Sequence, residues 1–220
     1  MKVLGISGSP RGKQSNTKRL VERVLEGAQS SGAEIELIDL SGLKLEYCIA
    51  CGRCYVTGVC IHKDDFASIM EKMYAADGLV LGSPVYFNSV TAQLKTVFDR
   101  LSDAIHCQRF LGKYACSVAT SGGPEFDMVL DYMTGVLVRL GCTVVGEIGA
   151  AIAVPGSLEA AEKDSVAIGA DLVQAMKDGR TCPDQEEIHK AMHERFKRLV
   201  SFNQAVWTHE VEYWTQQGWM

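Results

Sequence analysis

Four cysteines stand within thirteen residues of this chain, in the pattern C-x2-C-x2-C-x5-C. They are Cys48, Cys51, Cys54 and Cys60. Sets of four thiolates hold 4Fe-4S clusters, and a short loop with two-residue gaps can turn three side chains toward one centre. Cys60 supplies the fourth ligand in this interpretation. The spacing favours a 4Fe-4S cluster, although Ile61 follows Cys60 where the ferredoxin motif has a proline.

The same four thiols have other possible uses. Four thiolates also bind zinc, but zinc ribbons use two separated C-x2-C pairs rather than three consecutive cysteines. A redox-active disulfide is a further alternative, as is a loop of reduced thiols without a metal. We therefore rank a cluster above zinc, and zinc above thiol chemistry.

The remaining cysteines and two histidines have no companion pattern. Cys116 and Cys142 fall in or beside predicted strands, where cysteine behaves as a small buried hydrophobe. A single histidine such as His62 or His106 is more often structural than catalytic. We assign no chemistry to these residues, nor to the isolated cysteines 107 and 182.

A second candidate site is the hydroxyl-rich segment at residues 7–17, SGSPRGKQSNT, which opens directly into a helical pattern. Amides at a helix N-terminus and the helix dipole stabilise an anion, hydroxyls add donors, and Arg11 can add a charge-assisted hydrogen bond. The glycines match neither the dinucleotide fingerprint nor the P-loop. A capped surface turn is the alternative, but its position after the first strand favours a phosphate.

Two further segments follow the third and fourth predicted strands. G-S-P-V-Y-F-N-S, at residues 82–89, presents aromatic and amide side chains on a turn with a proline. T-S-G-G-P, at residues 120–124, offers backbone amides without bulky side chains. Because ligands bind beyond the carboxyl ends of parallel strands, these segments could hold the flat ring of an aromatic ligand and its polar edge. Taken singly, the first is better explained by an ordinary Ser-Pro turn with Tyr86 or Phe87 in the core.

Composition limits the class of protein. With 220 residues, 47% of them hydrophobic and 22% charged, the chain suits one α/β domain with a buried core. With a net charge of -5 and with Lys and Arg dispersed along the sequence, the chain has no basic cluster of the kind that binds nucleic acid. Without a secretory apolar segment or a run of about 18 apolar residues, we expect a cytoplasmic protein that is not in the membrane.

Strands and helices alternate along the chain. Most of the strands lack a period of two, as buried parallel strands do. Apolar stripes at helical spacing lie between them, for example Leu20, Val24 and Ala28, and right-handed crossovers then cover both sheet faces. The prediction is a flavodoxin-like three-layer sandwich with sheet order 2-1-3-4-5. The predicted strands are Lys2 to Ser7, Glu34 to Leu40, Gly78 to Gly82, Tyr114 to Thr120 and Thr143 to Ala151.

The C-terminal part extends beyond this core. A weak helical pattern runs from Ser157 to Lys177, and a stripe with Ile188 and Phe196 follows a possible hinge at residues 179–183. We therefore predict a domain at residues 1–180, with the cysteine loop at 48–60, and a helical appendage with an aromatic tail at 181–220.

Together, G-I-S-G-S-P-R with S-N-T, G-S-P-V-Y-F-N-S and the four-cysteine run resemble the NADPH-dependent FMN reductase superfamily, in particular its iron-sulfur flavoprotein branch. The resemblance covers Met1 to about Lys177. It implies that the first loop binds the FMN phosphate and that the loops after strands three and four contact the flavin ring. The implied FMN-binding residues are Ser7, Ser9, Pro10, Arg11, Ser15, Asn16, Thr17, Pro84, Val85, Tyr86, Phe87, Asn88, Thr120, Ser121, Gly122 and Gly123.

The resemblance also implies an activity. NAD(P)H passes a hydride to FMN, without a catalytic side chain, and electrons leave to a quinone, a flavin or a protein carrier, through a 4Fe-4S cluster if one is bound. It further implies a homodimer or homotetramer, for which the aromatic tail could serve as an exchanged arm. The alternatives are a non-enzymatic electron carrier and a structural zinc protein.

Overall fold

The computed structural model describes all 220 residues and contains one sheet of five parallel strands. The strands are Lys2–Ser7 (β1), Glu34–Asp39 (β2), Gly78–Pro84 (β3), Tyr114–Ser121 (β4) and Thr143–Ala151 (β5). They lie in the order β2-β1-β3-β4-β5. The prediction of a flavodoxin-like α/β fold is thereby confirmed.

Strand ends differ slightly from the predicted bounds. β2 ends one residue before Leu40, because the Asp39 carboxylate accepts a hydrogen bond from the Ser41 amide at 3.0 Å and starts a 3-10 turn over Leu40–Gly42. β3 continues beyond Gly82 to Pro84, and β4 continues to Ser121. The longer strands carry regular sheet structure into the segments that the sequence assigns to a ligand site.

Nine helices complete the structure. Those predicted by apolar stripes have eight residues or more, whereas two of the others have only five residues each. The helices are Asn16–Ser30 (α1), Arg53–Thr57 (α2), Phe66–Ala75 (α3), Ala92–Asp99 (α4), Ser102–His106 (α5), Asp127–Leu140 (α6), Ser157–Asp178 (α7), Pro183–Phe202 (α8) and Thr208–Gln216 (α9).

Helices cover both faces of the sheet, which explains the absence of a polar face on its strands. Leu4 and Ile6 of β1 pack with α3, α4 and α6 in one apolar cluster. Val3 of the same strand packs with α1 and α7 in another. Successive side chains of a strand point to opposite faces, and here both faces are buried.

Two glycines allow α1 and α7 to pack closely. A Cβ atom at Gly169 would lie 1.9 Å from the carbonyl oxygen of Val24, and one at Gly27 would lie 2.0 Å from that of Val166. Both contacts are with backbone, which cannot rotate away as a side chain does. The two helices must therefore separate to accept any larger residue at either position.

Gly169→Ala is expected to lower the free energy of unfolding by about 1–3 kcal/mol, the usual cost of overpacking a core. Gly135→Ala in α6 is the matched control, because its Cβ would meet only the exposed Arg139 guanidinium, at 2.9 Å. A helical Gly-to-Ala change there is worth up to about 1 kcal/mol in stability. Urea unfolding compares the two variants, and equal stabilities would contradict the close helix crossing.

The aromatic tail folds onto the same chain in this structure. Trp214 of α9 is fully buried and donates its indole N–H to the His106 carbonyl at 3.0 Å. It packs with Phe196 and Val200 of α8 in a small third cluster. The sequence pattern does not predict α9. The boundary near residue 180 and the role of the tail as an exchanged arm stay predictions.

Candidate functional site

A cleft opens at the carboxyl ends of β1, β3 and β4, where the sequence placed a ligand site. Its walls are the three polar loops that follow those strands. About 200 Å³ of space lies between twelve lining residues. They are Ser9, Arg11, Ser15, Asn16, Thr17, Pro84, Val85, Tyr86, Thr120, Ser121, Gly122 and Ile152.

One end of this cleft has the chemistry of an anion site. Ser15 caps α1, its Oγ accepting a hydrogen bond from the Lys18 amide at 3.0 Å. Asn16 and Thr17 then begin the helix, where the first amides have no intrahelical partner and the dipole is positive. The hydroxyl of buried Ser9 and the exposed Arg11 lie at the same end. These donors fit a phosphate.

Short hydrogen bonds tie the walls of the cleft together. Thr17 and Thr120 share one between their hydroxyls at 2.6 Å, joining α1 to the end of β4. The Gly8 amide donates to the Gly82 carbonyl at 2.7 Å, and the Thr91 hydroxyl donates to the Gly8 carbonyl at 2.6 Å. The loops are therefore held in place before any ligand binds, which reduces the entropy cost of binding.

The loop after β3 forms a tight hairpin. Tyr86 and Ser89 exchange two backbone hydrogen bonds, at 2.9 and 3.0 Å. Phe87 and Asn88 occupy the two central positions with φ of 47° and 58°. Positive φ at both positions is the geometry of a type I′ turn, which suits asparagine and is uncommon for phenylalanine. The Phe87 side chain is fully exposed.

Five of the residues predicted to bind FMN do not line the cleft. Phe87 and Asn88 are at the tip of the hairpin, Pro10 is exposed and Gly123 lies beyond the lining of Ser121 and Gly122. The fifth, Ser7, is buried, and its Oγ has no hydrogen-bond partner. Conversely, Ile152 lines the cleft and was missed. Ile152 directly follows β5 at the same edge of the sheet, and this position in the sequence could have identified it as a cleft residue.

The cysteine loop, residues 48–60, is a largely irregular segment around α2. Glycines with left-handed backbone, Gly52 at φ 68° and Gly58 at φ 70°, stand at both ends of that helix. The four thiols are free, with Cys48 and Cys51 exposed and Cys54 and Cys60 partly buried. The donor set and its accessibility fit a metal cluster.

Arg100, which directly follows α4, makes hydrogen bonds to residues at both ends of the cysteine loop. Its side chain has no exposed surface and makes two hydrogen bonds to Asp64, at 2.6 and 2.9 Å. The guanidinium also donates to the Glu46 carbonyl at 3.1 Å and to Cys60 Sγ at 3.2 Å. One buried cation thus holds the two ends of the loop together and contacts a candidate ligand, in the way that outer groups orient metal ligands.

The protonation of the thiols bears on metal binding. Burial, with a smaller effect of the Asp103 charge, raises the pKa of Cys54 to about 11, so this thiol must lose a proton to become a ligand.

The isolated cysteines are placed as small apolar residues would be. Cys116 and Cys142 are fully buried, and burial raises the pKa of each to about 12. His106 is a hydrogen-bonded residue, with Nδ1 3.0 Å from Glu210 Oε1. Cys107 is also fully buried, but its thiol lies 3.8 Å from the Asp103 carboxylate.

No helix is both long enough and apolar enough to cross a bilayer.

The sheet order and the cleft define a flavodoxin-like α/β protein with a site suited to a phosphorylated aromatic ligand. The family model described as NADPH-dependent FMN reductase matches residues 1–154. The chain belongs to this family.

Relatives agree with this assignment, and a solved structure agrees with the fold. An iron-sulfur flavoprotein of Archaeoglobus fulgidus is 30% identical over 225 aligned residues, covering 100% of both chains. An iron-sulfur flavoprotein of Methanocaldococcus jannaschii is 49% identical over 100 residues, which are 46% of this chain and 51% of that protein. A solved flavone reductase has a TM-score of 0.66 at 23% identity, over 81% of this chain and 64% of that one, and shows the likeness of fold.

Proposed function

We propose that this chain is an FMN-dependent oxidoreductase that accepts a hydride from NAD(P)H and delivers electrons to a quinone, a flavin or a protein carrier. The observation that carries the proposal is the convergence of three polar loops on one cleft at the carboxyl edge of the sheet. The family description, NADPH-dependent FMN reductase, supports the same reaction class.

Each end of the cleft has a separate task in this proposal. The hydroxyls of Ser9, Ser15 and Thr17, the side-chain amide of Asn16, the first backbone amides of α1 and Arg11 bind the FMN phosphate. Pro84, Val85, Tyr86 and Ile152 provide apolar contact for the ring, and the backbone at 120–122 lies at its polar edge. Bound FMN supplies hydride acceptance and one-electron release, while the protein orients the reactants and needs no acid or base side chain.

We further propose that Cys48, Cys51, Cys54 and Cys60 hold a 4Fe-4S cluster. The support is the set of four free thiols, the Arg100 hydrogen bond to Cys60 and the relatives named iron-sulfur flavoproteins. Thiolates and their hydrogen bonds fix the reduction potential of such a cluster. A cytoplasmic homodimer or homotetramer completes the proposal.

Anaerobic purification tests both centres at once. The visible spectrum, together with iron, sulfide and zinc analysis, is expected to show flavin and about four irons per chain. Steady-state NADPH oxidation with a quinone or ferricyanide then tests the enzyme assignment. A protein that holds flavin but turns over neither acceptor would instead be an electron carrier, and one with zinc and no flavin would overturn the proposal.

Ser9→Ala and Asn16→Ala test the phosphate site. Each is expected to weaken FMN binding about tenfold or more, because a hydrogen bond to a charged group contributes roughly 1.5–3 kcal/mol. Fluorescence titration of apoprotein with FMN measures the change. Ser30→Ala, at the far end of α1, is the control and should bind FMN normally. Unchanged affinity in both cleft variants would refute the loop assignment.

A further inference from the structure

Three side chains of types that can ligate a metal lie close together outside the cysteine loop. They are Asp103 and Cys107, at and just after α5, and His209 in α9. One ligand atom from each lies within 4.8 Å of the other two. Asp103 and Cys107 are four residues apart on one helical turn, the Cys107 amide bonding to the Asp103 carbonyl at 2.9 Å. His209 approaches from a segment about a hundred residues later in the chain.

Two of the separations are close to those around a single ion. Asp103 Oδ1 lies 3.2 Å from His209 Nε2 and 3.8 Å from Cys107 Sγ. A tetrahedral zinc with bonds of about 2.0–2.2 Å to nitrogen and oxygen and 2.3 Å to sulfur places such atoms about 3.4–3.6 Å apart. Cys107 and His209 have ligand atoms within 4.8 Å of each other, so side-chain movements would bring all three ligands onto one zinc ion.

The contact between His209 and Asp103 is not an ordinary hydrogen bond. His209 Nε2 is buried and lacks a hydrogen bond of acceptable geometry, although Asp103 Oδ1 is so close. A buried polar atom without a partner is costly and calls for an explanation. Two ligands of one ion also lie side by side, with neither atom directing a hydrogen toward the other.

Buried carboxylates lie close to this group of side chains. Asp103 is buried, and fully buried Glu210 adds a second carboxylate, whose Oε1 lies 3.0 Å from His106 Nδ1. A buried charge is costly without a partner, and a divalent ion bound to Asp103 would offset part of this negative charge.

We propose that Asp103, Cys107 and His209 bind a zinc-type divalent metal ion, separate from the metal of the cysteine loop. On binding, the Cys107 thiol releases its proton to solvent and the thiolate forms the metal–sulfur bond. A water would complete a tetrahedral site of this kind.

This ion would fasten the tail to the core. It links α5 to α9, and the ring of His209 packs so tightly on the turn after α2 that a Cβ at Gly58 would lie 2.5 Å from it. The Thr208 hydroxyl also donates to the Val56 carbonyl at 3.0 Å. The site thus joins α9 to the backbone of the cysteine loop without using its thiols.

Metal analysis of the full chain, purified anaerobically from zinc-supplemented medium, tests the site. About one zinc per chain is expected in addition to any iron. His209→Gln and Cys107→Ser are expected to weaken zinc binding more than about 100-fold, beyond the usual cost of losing an outer-sphere partner. Circular dichroism checks that these variants are folded. Cys182→Ser is the matched cysteine control and should retain zinc.

Cys51→Ser separates the two metal sites, and it should lose iron but keep zinc. If Cys51→Ser loses the zinc and His209→Gln keeps it, the ion belongs to the loop and the proposal is overturned. Zinc X-ray absorption of the unmodified protein needs no variant: one sulfur with nitrogen and oxygen ligands supports the site, whereas four sulfurs overturn it. Absence of zinc from the unmodified protein overturns it as well. None of these outcomes depends on NADPH turnover or FMN binding.

Discussion

Arg100→Leu is expected to lower the free energy of unfolding by about 3–5 kcal/mol, the usual cost of breaking one side of a buried ion pair. Arg100 and Asp64 are 0% and 1% exposed, so removal of the guanidinium leaves a carboxylate in the interior without its cation. The same change removes the hydrogen bonds to the Glu46 carbonyl and to Cys60 Sγ. The cysteine loop should therefore loosen together with the core.

The pH dependence identifies the carboxylate as the cause. Burial alone would raise the pKa of Asp64, but hydrogen bonds from Arg100 and from the Glu46 and Phe66 amides outweigh it and lower the pKa to about 2. In the unmodified protein, this stabilisation is complete above the unfolded pKa of about 3.9 and is lost as pH falls toward 2. In Arg100→Leu, protonation relieves the buried charge. The difference in the free energy of unfolding between the unmodified protein and Arg100→Leu should therefore become smaller as the pH falls from 7 to 4.

Urea unfolding at several pH values, with equal excess FMN, measures this difference. Arg180→Leu is the matched control, because its ion pair with Asp171 at 2.6 Å leaves both side chains about 40% exposed. Exposed pairs are worth about 0–1 kcal/mol. The double variant Arg100→Leu/Asp64→Leu should recover much of the loss, since it leaves no charge unpaired. A deficit in Arg100→Leu that is small and independent of pH would contradict the buried pair.

The sheet could be predicted because its determinants are local and repeated. Each strand is a short apolar run, and each long helix has a stripe of its own, such as Leu20 and Val24 in α1. Right-handed crossovers then restrict the strand order to a few choices. The position of the cleft could be predicted for a related reason, because parallel strands bring the loops after β1, β3 and β4 to one edge of the sheet.

Features set by distant contacts could not be predicted in this way. The pairing of Arg100 with Asp64 spans 36 residues, and that of His106 with Glu210 spans 104. α2 and α5 have five residues each and no apolar stripe, so their stability comes from packing. Similarly, the turn that directs Phe87 to solvent depends on backbone angles that the residue type disfavours.

Cys51→Ser is expected to remove nearly all of the iron while leaving FMN bound, if the proposed cluster is present. A 4Fe-4S cluster uses one thiolate at each iron, and a serine hydroxyl at neutral pH is a poor replacement. Cys51 is exposed and packs against little, so the change should not disturb the fold. The cleft residues that contact FMN belong to other loops and should be unaffected.

Iron, sulfide and FMN are measured in Cys51→Ser and in Cys182→Ser, both purified anaerobically. Cys182 is partly buried before α8 and far in sequence from the loop, so it controls for loss of a thiol as such. Iron lost only in the first variant, with FMN equal in both, assigns the iron to the loop. Iron retained in Cys51→Ser would exclude the four-cysteine ligand set. Loss of FMN together with iron would show that the two sites are coupled, which would contradict separate roles for the cysteine loop and the cleft.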